Sequence, residues 1–326
     1  MRSAGLIIVA LVAGLLGGAT PASAGKILFT RVIPPSQPMA GAHVMVMRSD
    51  GSGARRVPKH RLKGSIDLSP DGRRVAWIDG AGGLVTETFT GRNLRVVWPI
   101  RRANDGLSSP RWSPFSKQIT VTRGVDPPAG WEKDQTGGFA QIFVLRADGR
   151  RRRRLSTPVH MASPNWSPDG RRIVAVGVRP RGPETCTGTP PVYLDVECTT
   201  PPVHFGLWVI NVASRAAREI VGYDDGTRVG RGVWSLRGRT IAFDRSSPDD
   251  PEGQLWTVRP HGSGLHQLTN LQGGAQAPSW SPDGRRLAFT TQTRGGRSDV
   301  ATMRADGSGL RILTHSATNV NPDWSR

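Results

Sequence analysis

The sequence predicts an all-β fold, a six-bladed β-propeller closed by pairing of its N- and C-terminal strands. A Trp-Ser-Pro-Asp-Gly pattern recurs along the chain, and a second polar turn recurs between its copies. No window shows the periodicity of an amphipathic helix. Repeated units of this kind are typical of propeller blades, each of which is a four-stranded sheet.

The first turn occurs in three nearly identical copies and two degenerate ones. The identical copies begin at Ser69, Ser167 and Ser281, and the degenerate copies begin at Ser113 and Ser235. The steps between successive serines are 44, 54, 68 and 46 residues. A period near 44, lengthened twice by insertions, predicts one blade per repeat.

Each repeat contains the same order of strands and turns. A short strand ends in Trp-Ser, and Pro-Asp-Gly then makes a tight turn, since proline presets φ and glycine tolerates positive φ. A short apolar strand, a variable loop and an alternating strand follow. A second polar turn, such as residues 306–309, leads to an outer strand. Two hairpins per repeat predict a four-stranded blade.

The two ends of the chain each supply part of one blade. Residues 26–30 match the strand that follows a Pro-Asp-Gly turn, but the strand that should precede the turn is missing there. Residues 321–325, Asn-Pro-Asp-Trp-Ser, match that missing strand. Five complete blades and this shared blade make six, and the pairing leaves no sheet edge open.

These motifs resemble those of the TolB-like six-bladed β-propeller family, whose repeat is a WD-type variant built on Trp-Ser-Pro-Asp-Gly. The segment from Leu268 to Thr314 is similar to a consensus copy, and the resemblance extends over residues 25–326. The resemblance implies the propeller fold. Binding partners in the cell envelope would follow from it only by analogy with other proteins of that fold. Related propellers precede the catalytic domain of prolyl-oligopeptidase-type peptidases, but this sequence contains no G-x-S-x-G motif.

The first residues have the features of a secretory signal. Arg2 precedes an apolar run over residues 6–16, and Ala-Ser-Ala at 22–24 fits a cleavage site. We therefore expect a signal peptide over 1–24 and one propeller domain over 25–326, in a secreted or periplasmic monomer. An uncleaved anchor is the alternative. No later stretch reaches the roughly 18 apolar residues of a membrane helix, so we expect no stable membrane span.

The charge is strongly positive, and arginine carries most of it. The formal net charge is +19, and only five of the 44 basic residues are lysine. Strand order places both kinds of repeated turn on one face of the propeller, so arginines after these turns predict a basic face. An arginine-rich composition with a solvated rim is the alternative. The predicted basic face comprises Arg73, Arg74, Arg151, Arg152, Arg171, Arg172, Arg285 and Arg286.

Two long insertions extend from the opposite face. Residues 180–202 carry Tyr193 and the two cysteines, Cys186 and Cys198, which predict a disulfide in an oxidising compartment. Residues 125–138 carry Trp131. Long loops on a rigid scaffold are often functional, so we expect this face to bind the partner. The blade alignment also places three histidines in its connections, His160, His204 and His315.

No catalytic constellation is recognisable. Aspartates in the recurring turns are predicted to make Asx-type turns, and the recurring tryptophans are predicted to pack between blades. We therefore expect no metal, no cofactor and no nucleic-acid partner. The sequence predicts an exported, non-catalytic scaffold that binds an envelope or extracellular protein, or an anionic envelope polymer. The alternative is a metal-dependent lyase or hydrolase that acts on a carbohydrate or lactone at the channel mouth.

Overall fold

A computed structural model describes twelve segments of the chain, and every described element is a β-strand. These segments are residues 25–33, 41–57, 66–100, 106–126, 139–155, 160–179, 185–187, 197–199, 204–223, 226–293, 297–315 and 318–324. These segments contain no helix that is long and apolar enough to cross a membrane. The predicted signal peptide, residues 1–24, lies outside them.

Six sheets of four strand positions form the blades of a propeller. Blade 1 contains β1 (Lys26–Ile33), β2 (Gly41–Arg48) and β3 (Arg55–Arg56). Blade 2 contains β4 (Ile66–Leu68), β5 (Arg74–Ile78), β6 (Leu84–Thr88) and β7 (Arg95–Trp98). Blade 3 contains β8 (Leu107–Trp112), β9 (Gln118–Val125), β10 (Phe139–Arg146) and β11 (Arg153–Arg154).

The second half of the chain continues the same order. Blade 4 contains β12 (His160–Trp166), β13 (Arg172–Arg179), β16 (His204–Asn211) and β17 (Ala217–Tyr223), with a separate hairpin of β14 (Thr185–Thr187) and β15 (Glu197–Thr199). Blade 5 contains β18 (Arg228–Val229), β19 (Val233–Trp234), β20 (Ile241–Ser247), β21 (Asp250–Val258) and β22 (His266–Gln267). Blade 6 contains β23 (Gln276–Trp280), β24 (Arg286–Thr293), β25 (Arg297–Arg304) and β26 (Arg311–Ile312). In blade 5 the innermost strand is split into β18 and β19, which both pair with β20.

The C-terminal strand closes the ring, as the sequence predicts. β27 (Thr318–Trp324) pairs antiparallel with β1 and is the innermost strand of blade 1. Trp324 lies opposite Ile27 in this pairing, and both side chains are buried. The backbone N–H of Trp324 also donates to the Oγ of Ser279 in blade 6 at 2.9 Å. The clasp therefore joins blade 1 to its own first strand and to the last complete blade.

Each of four inner strands bends at a residue that precedes proline. These residues have positive φ although none is glycine, and they are Ser109, Ser163, Ala277 and Asn321. A register shift accompanies each bend, so the strands contain β-bulges. Three of the bulges are held by the preceding blade, because Thr122, Asp244 and Thr290 accept their backbone N–H groups at 3.0–3.2 Å. The bulge is thus also a contact between blades.

The apolar core lies between neighbouring blades, which confirms the predicted role of the tryptophans. Trp112, Trp166 and Trp234 are each less than 5% exposed. The indole of Trp166 donates to the carbonyl of Arg111 in blade 3, and that of Trp280 donates to Val233 in blade 5, both at 3.2 Å. A ring buried between two sheets stabilises both, so the repeated tryptophan is explained by packing.

The predicted Asx-type turns are present. In blade 2 the Oδ1 of Asp71 accepts the Oγ–H of Ser69 at 2.6 Å and the backbone N–H of Arg73 at 3.1 Å. Asp169 and Asp283 make the same pair of contacts in blades 4 and 6. These carboxylates are therefore occupied by the turns that they form.

Candidate functional site

The hairpin turns of every blade open on one end of the channel, which we name the turn face. Because neighbouring strands are antiparallel, the turns after the first and third strands of a blade emerge together, as predicted. The loops after the second strands and the connections between blades emerge at the other end, which we name the loop face. The two insertions begin there, after Val125 in blade 3 and after Arg179 in blade 4.

Three of the arginines predicted for the basic face also pack against tryptophans of a neighbouring blade. The guanidinium of Arg74 lies 4.5 Å from the ring centre of Trp112 and donates to the carbonyl of Ser116 at 2.7 Å. Arg172 stacks over Trp234 at 4.8 Å. Long arginine stems cover apolar surface, so these charges contribute to packing as well as to the surface field.

Arg152 is the third of these packed arginines. It lies 4.8 Å from the ring centre of Trp98 and donates to the carbonyl of Val97 at 2.8 Å. Arg152 is nevertheless exposed, as are Arg73, Arg151, Arg171, Arg285 and Arg286, whereas Arg74 and Arg172 are half-buried.

A groove of about 1180 Å³ crosses the turn face between blades 2 and 3. It reaches Gly170 in blade 4. We name it the turn-face groove. Six of its lining residues are basic and two are acidic, which leaves an excess of four positive charges. The basic lining residues are Arg74, Arg95, Lys117, Arg146, Arg151 and Arg153, and the acidic ones are Glu87 and Asp148.

Several of the lining cations are already used by the protein. The Nη2 of Arg153 donates to the carbonyl of Val212 at 2.8 Å, and Arg146 lies 3.6 Å from Asp148. Within the described segments, the side chains of three others form no hydrogen bond or ion pair; they are Arg95, Lys117 and Arg151. These three cations are free to meet an anionic partner.

Two departures from the repeat coincide with this groove. Phe115 stands where three other turns have Asp71, Asp169 or Asp283 and the blade 5 turn has Arg237, and its side chain is 63% exposed. It lies against Gly170, where an added Cβ would approach the ring to 3.2 Å. The substitution removes a negative charge from the groove and adds an exposed aromatic ring to it.

The second departure is Arg151. The equivalent position is Gly53, Gly264 or Gly309 in other blades, and all three glycines have positive φ. Arg151 adopts a φ of 52°, a conformation that costs an L-residue about 1 kcal/mol or more. The groove thus has a charged side chain at a position where three other blades have glycine.

The loop face is described only in part. Trp131 and Tyr193, two of the predicted partner-binding residues, lie outside the described segments. The Nδ1 of His160 accepts the backbone N–H of Ala140 at 3.1 Å, and His315 is exposed. No group of three His, Cys, Asp or Glu residues suited to a metal ion occurs in the described part of the chain.

The root of the longer insertion is tied by ionic contacts. His204 and Arg179 are cross-strand partners where β13 ends and β16 begins, and Glu219 on β17 contacts both. Its Oε2 lies 2.6 Å from Arg179, and its Oε1 contacts His204 Nε2. The predicted cysteines lie directly opposite each other, Cys186 on β14 and Cys198 on β15. Opposed residues of an antiparallel pair lie at the Cα spacing that a disulfide requires, so the disulfide stays a prediction with suitable backbone geometry.

A charged cluster spans the turn-face end of the channel, which sequence reasoning missed. The Nη1 of Arg111 in blade 3 lies 2.9 Å from Asp67 in blade 2 and 3.3 Å from Asp323 in blade 1. We name these three residues the channel floor. They line a cavity of about 100 Å³ together with turn residues of blades 2 and 3.

Burial raises the pKa of Asp67 to about 7, and the neighbouring Asp323 carboxylate adds to the effect while Arg111 opposes it. Its Oδ2 accepts the backbone N–H of Trp112 at 2.6 Å. A second arginine, Arg231, comes from the split inner strand of blade 5. Burial and the charge of Arg111 lower the pKa of Arg231 to about 10.

The signal for the channel floor is present in the sequence but is not a motif. One residue per blade stands immediately before the tryptophan position, and these residues are Asp67, Arg111, Asn165, Val233, Ser279 and Asp323. Their types differ from blade to blade, so no repeat pattern marks them. Only the alignment of blades shows that they share one level of the channel.

Fold and site together define a closed six-bladed β-propeller with a basic groove on its turn face. No family model matches the chain. Two segments of it are similar to Tol-Pal system protein TolB. The identity is 38% over 93 residues with the protein of Anaeromyxobacter dehalogenans and 53% over 51 residues with that of Nitratidesulfovibrio vulgaris. The matched segments cover 28% and 16% of this chain, but only 20% and 11% of those proteins.

Solved structures match over nearly the whole chain. TolB from Acinetobacter baumannii superposes with a TM-score of 0.65 at 15% identity, over 92% of this chain and 66% of that one. Oligogalacturonate lyase in complex with manganese superposes with a TM-score of 0.53 at 14% identity, over 89% of this chain and 74% of that one. At these identities the likeness establishes the fold, and the fold is shared by binding proteins and enzymes.

Proposed function

We propose that the protein is an exported, non-catalytic scaffold that binds an acidic protein partner of the cell envelope through the turn-face groove. The observation that supports this proposal most directly is the coincidence of Phe115 and Arg151 in one groove. Both residues replace the repeat's own choice, and both make the groove more suitable for an acidic partner. The predicted signal peptide over residues 1–24 and the similarity of segments to TolB support an extracytoplasmic location.

A protein partner is favoured over a polymer because the groove combines cations with an exposed aromatic side chain. Aromatic residues are enriched at protein interfaces, where they contribute much of the binding energy. Phe115 supplies such an anchor at the centre of the basic lining. Positive charges around it accelerate association and select acidic partners. The insertions over residues 125–138 and 180–202 provide a second proposed contact surface on the loop face.

The test restores the repeat and removes one free cation from the groove. The double variant Arg151→Gly with Lys117→Gln is expected to weaken capture of the acidic envelope partner at least tenfold. It should keep the thermal stability of the wild type, because glycine relieves the left-handed strain. Binding is measured by pull-down from envelope extract and by titration with fluorescent polyglutamate, a defined acidic probe.

The matched control removes the same charges elsewhere on the turn face. Arg215 is exposed and also has positive φ, and Arg285 is exposed on another turn. Arg215→Gly with Arg285→Gln should therefore bind as the wild type does. Equal losses in both double variants would show that the charge acts diffusely, and unchanged binding in the groove variant would refute the proposal. Capture of polyphosphate in preference to polyglutamate would favour a polymer instead.

The alternative function, a metal-dependent lyase or hydrolase at the channel mouth, is supported by the fold similarity to oligogalacturonate lyase. Elemental analysis of the purified mature protein distinguishes it from a scaffold. Metal at about one ion per chain, retained after dialysis, would favour the enzyme and would contradict the scaffold proposal.

A further inference from the structure

Arg231 enters the central channel from the only inner strand that is split among those described. It occupies the bulge position of blade 5, where the neighbouring blades have small residues such as Ser163 and Ala277. Its Nη2 donates to the carbonyl of Pro278 in blade 6 at 3.3 Å. Its Nε is buried and has no hydrogen-bond partner among the described residues. A guanidinium carries five N–H donors, so most of this one's capacity is unused within the described segments.

The carboxylates of the channel floor are already engaged elsewhere. Asp67 accepts from Arg111 with one oxygen and from the backbone N–H of Trp112 with the other. Asp323 contacts Arg111 with one oxygen and Ser279 Oγ, at 3.4 Å, with the other. No ion pair within 4.0 Å joins Arg231 to any described carboxylate.

Asp244 is the remaining carboxylate near Arg231, and it does not form an ion pair with it. Its Oδ1 accepts the backbone N–H of Ala277 at 3.1 Å, and Gly230 packs against the same carboxylate so closely that an added Cβ would overlap it. Burial raises the pKa of Asp244, while the charge of Arg231 acts in the opposite direction. The half-buried guanidinium of Arg231 therefore has donors that no described carboxylate occupies.

We propose that the channel binds a small organic acid, whose carboxylate pairs with Arg231 and which enters from the loop face. The planar guanidinium fork matches a carboxylate in two parallel hydrogen bonds. A singly charged carboxylate is favoured over phosphate because Asp67 and Asp323 repel additional negative charge. The channel floor lies at the turn-face end, so we assign the entrance to the loop face. This binding is independent of the turn-face groove.

The test titrates ¹³C-labelled acetate into the protein and follows the acetate resonance, with acetamide as the uncharged analogue and inorganic phosphate as the competing anion. The wild type should bind acetate saturably and acetamide not at all. Arg231→Gln should weaken acetate binding at least tenfold, and Arg231→Lys should retain part of it. The matched control is Arg228→Gln, which removes an exposed arginine from the same inner region of blade 5.

Thermal unfolding separates a binding role from a structural one. Arg231→Gln should unfold at the same temperature as the wild type or higher, because it removes a charge that has no ion-pair partner within 4.0 Å among the described residues. A clear drop would identify Arg231 as a structural residue and overturn the proposal. Linear, non-saturating acetate shifts, equal binding by Arg231→Gln, or Arg231-dependent phosphate binding without acetate binding would also overturn it. The groove variants Arg151→Gly and Lys117→Gln should leave acetate binding unchanged.

Acetate affinity should also depend on pH. The charged groups that face Arg231 are Arg111, Asp67, Asp323 and Asp244. As pH falls from 8 to 6, Asp67 takes up a proton, since its pKa is raised to about 7. Loss of that negative charge should tighten acetate binding, and weaker binding at pH 6 than at pH 8 would contradict the assignment.

Discussion

A few single residues depart from the repeat, and they show where the surface of this propeller differs from one blade to the next. Ser69 and Asp71 show the rule, because each side chain satisfies its own turn. Phe115 and Arg151 are the exceptions, and neither helps its turn. A residue that costs conformational energy without local compensation is better explained by what it contacts from outside.

Asp67 predicts a dependence of stability on pH. Its folded-state pKa of about 7 lies above the unfolded value, so the folded chain holds a proton that the unfolded chain releases. The free energy of unfolding therefore falls as pH rises from about 5 to 8, on the order of 2–3 kcal/mol from this group. Asp67→Asn should flatten this slope in urea unfolding measured across the same range.

Asp71→Asn is the control for that measurement. Burial acts against the charge of Asp71, but hydrogen bonds from Ser69 and Arg73 lower its pKa overall. Stability from a lowered pKa is present above the unfolded value and is lost only as pH falls below about 4. Asp71→Asn should therefore keep the wild-type slope between pH 5 and 8. An unchanged slope in Asp67→Asn would mean that another group titrates there.

At the scale of strands and loops, the two strands that flank the insertion over residues 180–202 are joined at its root. Arg179 and His204 end and begin the strands that flank it, and Glu219 joins them. Gly206 and Gly222 leave the space for this contact, since a Cβ at either position would overlap Glu219. The insertion is therefore anchored to blade 4 by one carboxylate from the outermost strand.

Glu219→Gln is expected to loosen that anchor. The variant loses the charge that attracts Arg179 and His204, so protease cleavage within residues 180–202 should accelerate several-fold. Global stability should change by about 1 kcal/mol or less, because the contacts are partly exposed. Glu252→Gln, at an exposed glutamate of blade 5, is the control and should cleave at the wild-type rate. Equal rates in both variants would show that the loop is held by other contacts.

The sequence was sufficient to predict the blades but not the turn-face groove or the channel floor. Blade formation depends on local turns and alternating strands, which the repeat contains in full. The turn-face groove depends on Phe115 meeting Gly170 of the next blade, a contact between residues far apart in the chain. The channel floor depends on two aspartates and an arginine from three different blades, which no repeat motif marks. Contacts of this kind exist only once the ring has closed.

At the scale of the whole molecule, the pairing of β27 with β1 makes the stability of the six blades interdependent. Each blade packs on its two neighbours, so an open ring would expose the apolar faces of blades 1 and 6. β27 also contributes Asp323 to the channel floor and Trp324 to the core shared with blade 6. Deleting residues 319–326 should therefore destabilise all six blades together, and it should remove one carboxylate from Arg111.

The expected outcome of that deletion is a single unfolding transition at much lower temperature, measured by calorimetry and circular dichroism. Trp324→Ala is the milder variant and should cost about 3–5 kcal/mol, as truncation of a large buried aromatic residue does. Adding a synthetic peptide of residues 316–326 in trans should restore part of the lost stability, since the missing strand pairs non-covalently. A deletion variant that unfolds at the wild-type temperature would show that the ring closes without the clasp.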